Sequence, residues 1–330
     1  MTKIEAAKQE YTDWCEAVGI DNLDRLKEVI EAGKAIDLIN LCEARQERKY
    51  AEAADQIFWN RKTRRIVMMS GPSSSGKTSS SKRIAQQAKV LGLNPKVIEL
   101  DNYFVDRENT PRDENGEYNF EALEAMDIKF LGEQLSDLLA GKEIELPKFN
   151  FVQGRREMTG EMLHLEDNDI LFMEGIHALN PALVPGIDQH SIFRIYISAL
   201  SSLPGGEKVH NSTTDKRLLR RMVRDSRTRG ASPEDTILRW PSVRRGETEH
   251  VFPYEENANI IFNSSTLYDL PLLKYYAEPL LHGIAESSPA YAKAQDLIKF
   301  LEVIVPLQPR EIAAIPPTSI MREFIGGQTL

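Results

Sequence analysis

Cysteine is scarce in this 330-residue chain, which has only Cys15 and Cys42. Two cysteines cannot frame a disulfide-stapled fold, and they suit a reducing compartment. Long apolar runs are missing as well. No stretch approaches the ~18 residues of a membrane span, and the N-terminus has no signal-peptide pattern. A surplus of positive charge is also lacking: 41 basic side chains face 50 acidic ones, a net charge of −9. Coating nucleic acid needs concentrated positive charge against the phosphate backbone, so no general nucleic-acid partner is expected. The six histidines show no metal-ligand spacing. No internal repeat or low-complexity tract occurs. These exclusions leave a cytoplasmic soluble protein as the expectation. With 41% hydrophobic and 28% charged residues, the chain can bury an ordinary core. At ~150 residues per domain, its length suggests two domains or one large domain with additions.

Residues 1 to about 60 read as helices. Leu23, Leu26, Val29 and Ile30 recur at helical spacing behind Asp21-Asn22, and a second helix is expected from Ala35 to about Trp59. From Arg65 the texture changes. Ile66-Val67-Met68-Met69 is a short apolar run that reads as a buried strand. Lys96–Leu100, Ile170–Met173, Ile192–Ile197 and Ile260–Phe262 are further strand candidates, with helical segments between them. This alternation predicts an α/β fold with a mostly parallel sheet flanked by helices, and helical additions at both ends. The expected division is a helical N-terminal connector (1–62), an α/β domain that contains the arginine-rich helix (63–284) and a helical C-terminal extension (285–330). The extension should hold a helix from Ala290 to Val303, then a Pro-rich stretch.

The strongest local signal is Gly71-Pro72-Ser73-Ser74-Ser75-Gly76-Lys77-Thr78, with Ser79 next. It matches G-x-x-x-x-G-K-[ST] between a predicted strand and a predicted helix, the context this motif requires. Glycines let the backbone wrap around phosphate oxygens, and the helix N-terminus faces the anion. Lys77 can supply charge to the β- and γ-phosphates, and the Thr78 hydroxyl can ligate Mg²⁺. The pattern indicates a nucleoside triphosphate, ATP in preference to GTP, because no Asn-Lys-x-Asp guanine-reading motif is present.

Two acids end predicted strands near this turn: Asp101, after Glu99-Leu100, and Glu174, before Gly175. Ligands of open α/β sheets bind beyond the carboxyl ends of the strands. One acid can hold or orient Mg²⁺, and the other can accept a proton from an attacking hydroxyl. Asp101 is the preferred base and Glu174 the preferred metal-side acid, although sequence leaves that division open. A third feature is a basic helix: Lys216 to Arg229 carries seven basic side chains and one acid. Arg217, Arg220, Arg221 and Arg224 recur at three- and four-residue spacings and should repel one another. A partner is therefore implied, either a nucleotide polyphosphate beneath a mobile lid, a nucleic acid backbone, or local acids. Gly230, Ser232 and Pro233 should close this helix and start another.

Together these residues resemble the uridine kinase/phosphoribulokinase family of P-loop kinases. The resemblance covers about residues 65–265. It is carried by Gly71–Thr78, Asp101-Asn102-Tyr103-Phe104, Phe120–Asp127, Pro147–Arg156, Glu174-Gly175-Ile176, and the Asp215-x-Arg217-Leu218-x-Arg220-Arg221-x-x-Arg224-Asp225 run. More narrowly, the chain resembles bacterial proteins in which such a domain follows a threonyl-tRNA-synthetase-like region. Residues 1–62 would then be that region's trailing connector, and Ser319–Gly327 a typical C-terminal feature. The resemblance implies ATP-dependent phosphorylation of a sugar hydroxyl, most typically of a nucleoside, in an enzyme that self-associates. It implies Asp101 as catalytic aspartate, Thr78 and Glu174 on the magnesium side, Arg217, Arg220 and Arg224 as lid arginines, and Glu124 as the acid that binds ribose hydroxyls.

The acceptor half departs from the family pattern. Phe149-Asn150-Phe151 replaces an aromatic-Asp-Phe group, and Gly154 stands where a base-contacting histidine would fall. Ala231 ends the post-lid Arg-Gly-Arg, and Arg239 replaces a base-reading glutamine. Lost donors weaken discrimination among bases. Arg155 or Arg156 and Arg239 would suit an anionic acceptor, while Phe149 and Phe151 could stack a base or simply pack. An anionic non-nucleoside acceptor, or an ATP-binding sensor associated with RNA, are thus the alternatives. His177, three residues after Glu174, could approach the site but could equally be structural.

Overall fold

A computed structural model describes residues 1–112, 116, 118–150, 152–200 and 213–330. The described residues form seven strands: β1 (Ile66–Ser70), β2 (Asn94–Glu99), β3 (Ile144–Asn150), β4 (Arg155–Leu163), β5 (Asp169–Glu174), β6 (Ile192–Ser198) and β7 (Ile260–Asn263). Five of them make a parallel sheet in the order β2-β5-β1-β6-β7. All five predicted strands are in it. β1 is buried along its whole length, which explains its continuous apolar run. Ile66 and Met68 face one core layer, and Val67 and Met69 face the other.

The helices are α1 (Lys3–Ala17), α2 (Leu23–Glu31), α3 (Ala35–Asn60), α4 (Lys77–Val90), α5 (Ile128–Leu139), α6 (Thr213–Thr228), α7 (Pro233–His250), α8 (Asp269–His282), α9 (Tyr291–Leu301), α10 (Pro309–Ala313) and α11 (Arg322–Ile325). Local chemistry sets several ends. Asn22 caps α2 by accepting from the Arg25 amide, and Ser232 and Asp235 form a reciprocal cap on α7 with Pro233 in its first turn. Among the described residues, no helix is long and apolar enough to cross a membrane.

The sheet places β1 between β5 and β6, so the chain leaves β1 at the point where strand order reverses. The crevice beyond the carboxyl ends opens there. An unpredicted feature is the antiparallel β3–β4 hairpin, paired Phe149 with Arg156 and Ile144 with Leu163. Its second strand is mostly exposed on both faces, so it carries no alternating pattern to read.

The basic helix α6 buries Leu218, Leu219, Met222 and Val223. Their core includes Leu38, Ile39 and Cys42 of α3, Leu297 and Leu301 of α9, and Phe324 of α11. Segments near both chain ends therefore enclose the side of α6 that faces away from the sheet crevice. Leu219→Ala should cost about 2–5 kcal/mol, because the site is fully enclosed and collapses poorly. The expected readout is a lower urea midpoint with unchanged slope; an unaltered midpoint would show that α6 does not share this core.

Candidate active site

The glycine-rich turn 71–78 is held by contacts that only its own residues permit. After Ser70, Gly71 passes so near β6 that an added Cβ would sit 1.9 Å from the Ile197 carbonyl oxygen. Gly76 adopts φ +84° at the start of α4, and a Cβ there would meet Ile320 Cδ1 at 2.3 Å. Ser74 takes a left-handed φ of 57° without being glycine, local strain that the surrounding structure sustains. Lys77 Nζ folds back on the carbonyls of Gly71 at 2.9 Å and Pro72 at 3.3 Å. The Thr78 hydroxyl donates to Glu174 Oε1 at 3.0 Å.

Both strand-end acids meet this turn. Glu174 is the last residue of β5. Gly175 behind it leaves room for Leu100, whose Cβ would lie 2.8 Å from a Cβ at 175. That close approach seats the 3₁₀ turn Leu100–Tyr103, which carries Asp101. Asp101 and Glu174 border one cavity of about 360 Å³ with Lys77 and Thr78. Burial pushes the Glu174 carboxyl up to about 6 against the opposing pull of Lys77 and the Thr78 hydrogen bond, with Glu323 and Asp101 adding to the rise. Asp101 is exposed to solvent, yet the neighbouring walls desolvate it enough to raise its carboxyl despite nearby Lys77. His177 also lines the cavity. It is buried, and burial beside His250 lowers it to about 4 despite the nearby backbone of Glu121 and Ala122, so it is a neutral wall.

The arginines of α6 divide differently from the expectation. Arg217 is enclosed and paired with Glu247 through two hydrogen bonds of 2.6 and 2.9 Å, and it also donates to the Ser73 carbonyl at 3.0 Å. Arg220 is enclosed against Asp269 at 2.5 Å and the Ser264 carbonyl at 3.0 Å. Neither borders the cavity. Arg221, Arg224 and Arg229 do. Arg221 donates to Ser73 Oγ at 2.8 Å, and all three lie within 4 Å of the buried carboxylate of Asp225. Arg224 is thus the one expected lid arginine at the cleft. The implied partner of the inner arginines is a set of internal acids.

The acceptor side also differs. Glu124 sits exposed in the 3₁₀ turn Leu123–Ala125 and does not border the cavity; Glu121 does, and burial raises its carboxyl against the pull of Lys77 and Arg221. Phe149 is buried, edge-on to Phe104 at 5.7 Å, and Phe104 and Phe120 take the cavity wall instead. Arg156 pairs with Asp127 at 2.8 Å and lies over the Phe130 ring. Gly154 holds φ +68° where any Cβ would strike Arg107 at 2.8 Å, so no larger side chain fits this backbone. Arg239 lines a second cavity of about 530 Å³, which shares Glu121 and Arg221 with the first. Phe151 lies outside the described residues.

Residues 66–270 match the phosphoribulokinase/uridine kinase family. The chain belongs to this family. Similar proteins include a uridine kinase of Bacillus licheniformis, 28% identical over 59% of this chain and 84% of that protein. A uridine kinase of Lactobacillus helveticus is 30% identical over 59% of this chain and 84% of that protein. The solved structure of a possible uridine kinase from Bacillus stearothermophilus superposes with a TM-score of 0.39 at 20% identity, covering 64% of this chain and all of that one, too loosely to carry an argument. Family membership makes the protein a small-molecule kinase, an ATP-using phosphotransferase with a hydroxyl acceptor.

Of the residues that border the cavity, Glu121 escaped the sequence reading, while Arg221 and Arg229 were read within the basic helix but not singled out as lid arginines. Glu121 and Glu124 stand in one short acidic stretch, and only the turn's backbone decides which faces inward. The inner and outer arginines differ in what their loss should do. Arg217→Ala leaves Glu247 short of its main partner in a water-poor site, costing about 3–5 kcal/mol of stability. Arg221→Ala should leave the melting temperature within about 2 °C and weaken ATP binding instead. Calorimetric melting and nucleotide titration of both variants check this; equal melting losses would contradict the division.

Proposed function

We propose that the protein phosphorylates a sugar hydroxyl of a nucleoside, using Mg²⁺-ATP. The observation that carries this reading is one cavity bordered by Lys77, Thr78, both strand-end acids and three outward arginines. The nucleoside acceptor rests on the uridine kinase names of relatives at 28–30% identity. Kinase family membership displaces the reading as an RNA-associated sensor with little catalysis.

The triphosphate tail lies in the 71–78 turn, and Lys77 leaves the Gly71 and Pro72 carbonyls for the β- and γ-phosphates. Asp101 accepts the proton of the acceptor hydroxyl as its oxygen attacks the γ-phosphorus. The bond to the bridging oxygen breaks, ADP departs with that electron pair, and the proton passes from Asp101 to water. A raised carboxyl pKa brings this base nearer working pH. Arg221, Arg224 and Arg229 face the transferring group, where positioned cations are worth on the order of 10³–10⁵ in rate. The Thr78 hydroxyl and the Glu174 carboxylate, 3.0 Å apart, are hard oxygen donors that fit Mg²⁺, with Asp101 on the same cavity wall. When bound, Mg²⁺ neutralises charge on the phosphate oxygens. Glu121 is placed to accept hydrogen bonds from acceptor hydroxyls.

Two outcomes test this reading. Lys77→Ala and Asp101→Asn should each lower kcat with ATP and a nucleoside panel by at least about 100-fold, with far-UV circular dichroism unchanged; variants as fast as the parent would refute the assignment. Glu174 becomes protonated as pH falls through about 6, losing its charge for Mg²⁺. Free-enzyme kcat/KM should therefore fall on the acid side with a midpoint near that value, and Glu174→Gln should remove this limb from its residual activity. A parent profile flat between pH 5 and 7 would exclude the role given to Glu174.

A further inference from the structure

The C-terminal strap, residues 319–330, runs along the phosphate-binding turn and the start of α4. Ile320 fills the space over Gly76. Glu323 accepts from the Ser79 amide at 3.3 Å and the Ser79 hydroxyl at 2.5 Å. Gln328 Nε2 donates to the same hydroxyl at 2.7 Å, and Lys82 Nζ reaches the Leu330 carbonyl at 3.2 Å. Phe324 and Met321 back Arg220 from within the core. The strap is thus anchored at several points, and its carboxylate borders the cleft beside Lys77 and Thr78.

Ser79 is the third residue of α4, so its amide is one of the donors with no partner inside the helix. Such donors, at the positive end of the helix dipole, are what a phosphate takes in this turn. Here a side chain of the same protein already takes one. A second carboxylate, Glu247, likewise accepts from the Ser73 amide at 2.7 Å, but Arg217 and Arg244 neutralise it. Among the described residues Glu323 has no ion-pair partner within 4 Å, and its charge adds to that of Glu174. Any polyanion entering the turn meets this charge and a donor already engaged.

We infer that Glu323 is an affinity-setting residue of the nucleotide site. Its carboxylate competes with the phosphate tail for the first turn of α4, so the strap must release Ser79 before the tail seats fully. This rests on the reading of residues 71–78 as a triphosphate cradle.

The test is calorimetric titration of the full chain with ATP, and separately with inorganic tripolyphosphate. Parent, Glu323→Ala and Glu323→Gln are compared. The expected result is about tenfold tighter binding of both ligands by Glu323→Ala, and a smaller gain for Glu323→Gln, which loses the charge but can still accept from Ser79. Glu323→Gln keeps the size of the side chain, so it reports even if the alanine variant folds poorly. Unchanged or weaker binding by Glu323→Gln, or a gain for ATP without one for tripolyphosphate, would overturn the inference. A parent that binds ATP, with affinity indifferent to residue 323, removes this inference alone. A parent and variants that bind neither ligand remove the cradle reading with it.

Discussion

The inner face of α6 would be unstable without the buried acids beneath it. Lys216, Arg217 and Arg220 are enclosed side by side, and desolvating three cations costs several kcal/mol each unless each is paired and hydrogen-bonded. Asp269 stands 2.5 Å from Arg220 and 3.5 Å from Lys216, while Glu247 clasps Arg217. The cost to Lys216 is visible in its amine, lowered to about 8 by burial even with Asp269 opposite. These pairs also fix the 71–78 turn. Arg217 and Glu247 bind the carbonyl and amide of Ser73, and Arg221 binds its hydroxyl. One set of ion pairs thereby holds the helix, sets its rotation and ties the turn to it.

That rotation decides what the helix can do. With Arg217 and Arg220 turned inward, Arg221 and Arg224 are turned toward the cleft, and Arg229 follows beyond the helix end. Asp225, itself buried, gathers these three. Three guanidiniums converging on one carboxylate carry net positive charge. They are ordered by Asp225 without being neutralised by it, which suits a surface that must receive a polyanion.

The sequence carried most of the fold because its signals were local. The apolar run of β1, the glycines at 71 and 76, and acids placed just past strand ends all declare themselves within a few residues. Asp101 and Glu174 could be placed at the same sheet edge from strand periodicity and the general location of ligands in such sheets. Orientation of the arginines was not legible in the same way. The carboxylates that decide it lie 30 and 49 residues along the chain from their partners. Nothing in a run of arginines at three- and four-residue spacing says which face meets an acid. The same holds for Glu121 against Glu124, where a single 3₁₀ turn selects the inward residue, and for Phe149, whose place at the wall is taken by Phe104. The β3–β4 hairpin was illegible because an exposed strand need not alternate.

The cleft itself is electrostatically unfinished as it stands. Asp101, Glu121 and Glu174 are all raised by desolvation, and Lys77, which opposes each rise, is turned back onto backbone carbonyls. Three acids on the walls of one cavity repel one another, and one lysine cannot satisfy all of them. Three arginines stand on the same walls with one shared counterion. Such separation of opposite charges is costly when a site only has to be stable, because moving the groups into contact would relieve it. It is useful when a ligand brings both signs, a polyphosphate for the cations and a divalent metal or hydroxyl protons for the acids. The arrangement therefore argues for a ligand that is charged and composite, independently of the names carried by any relative.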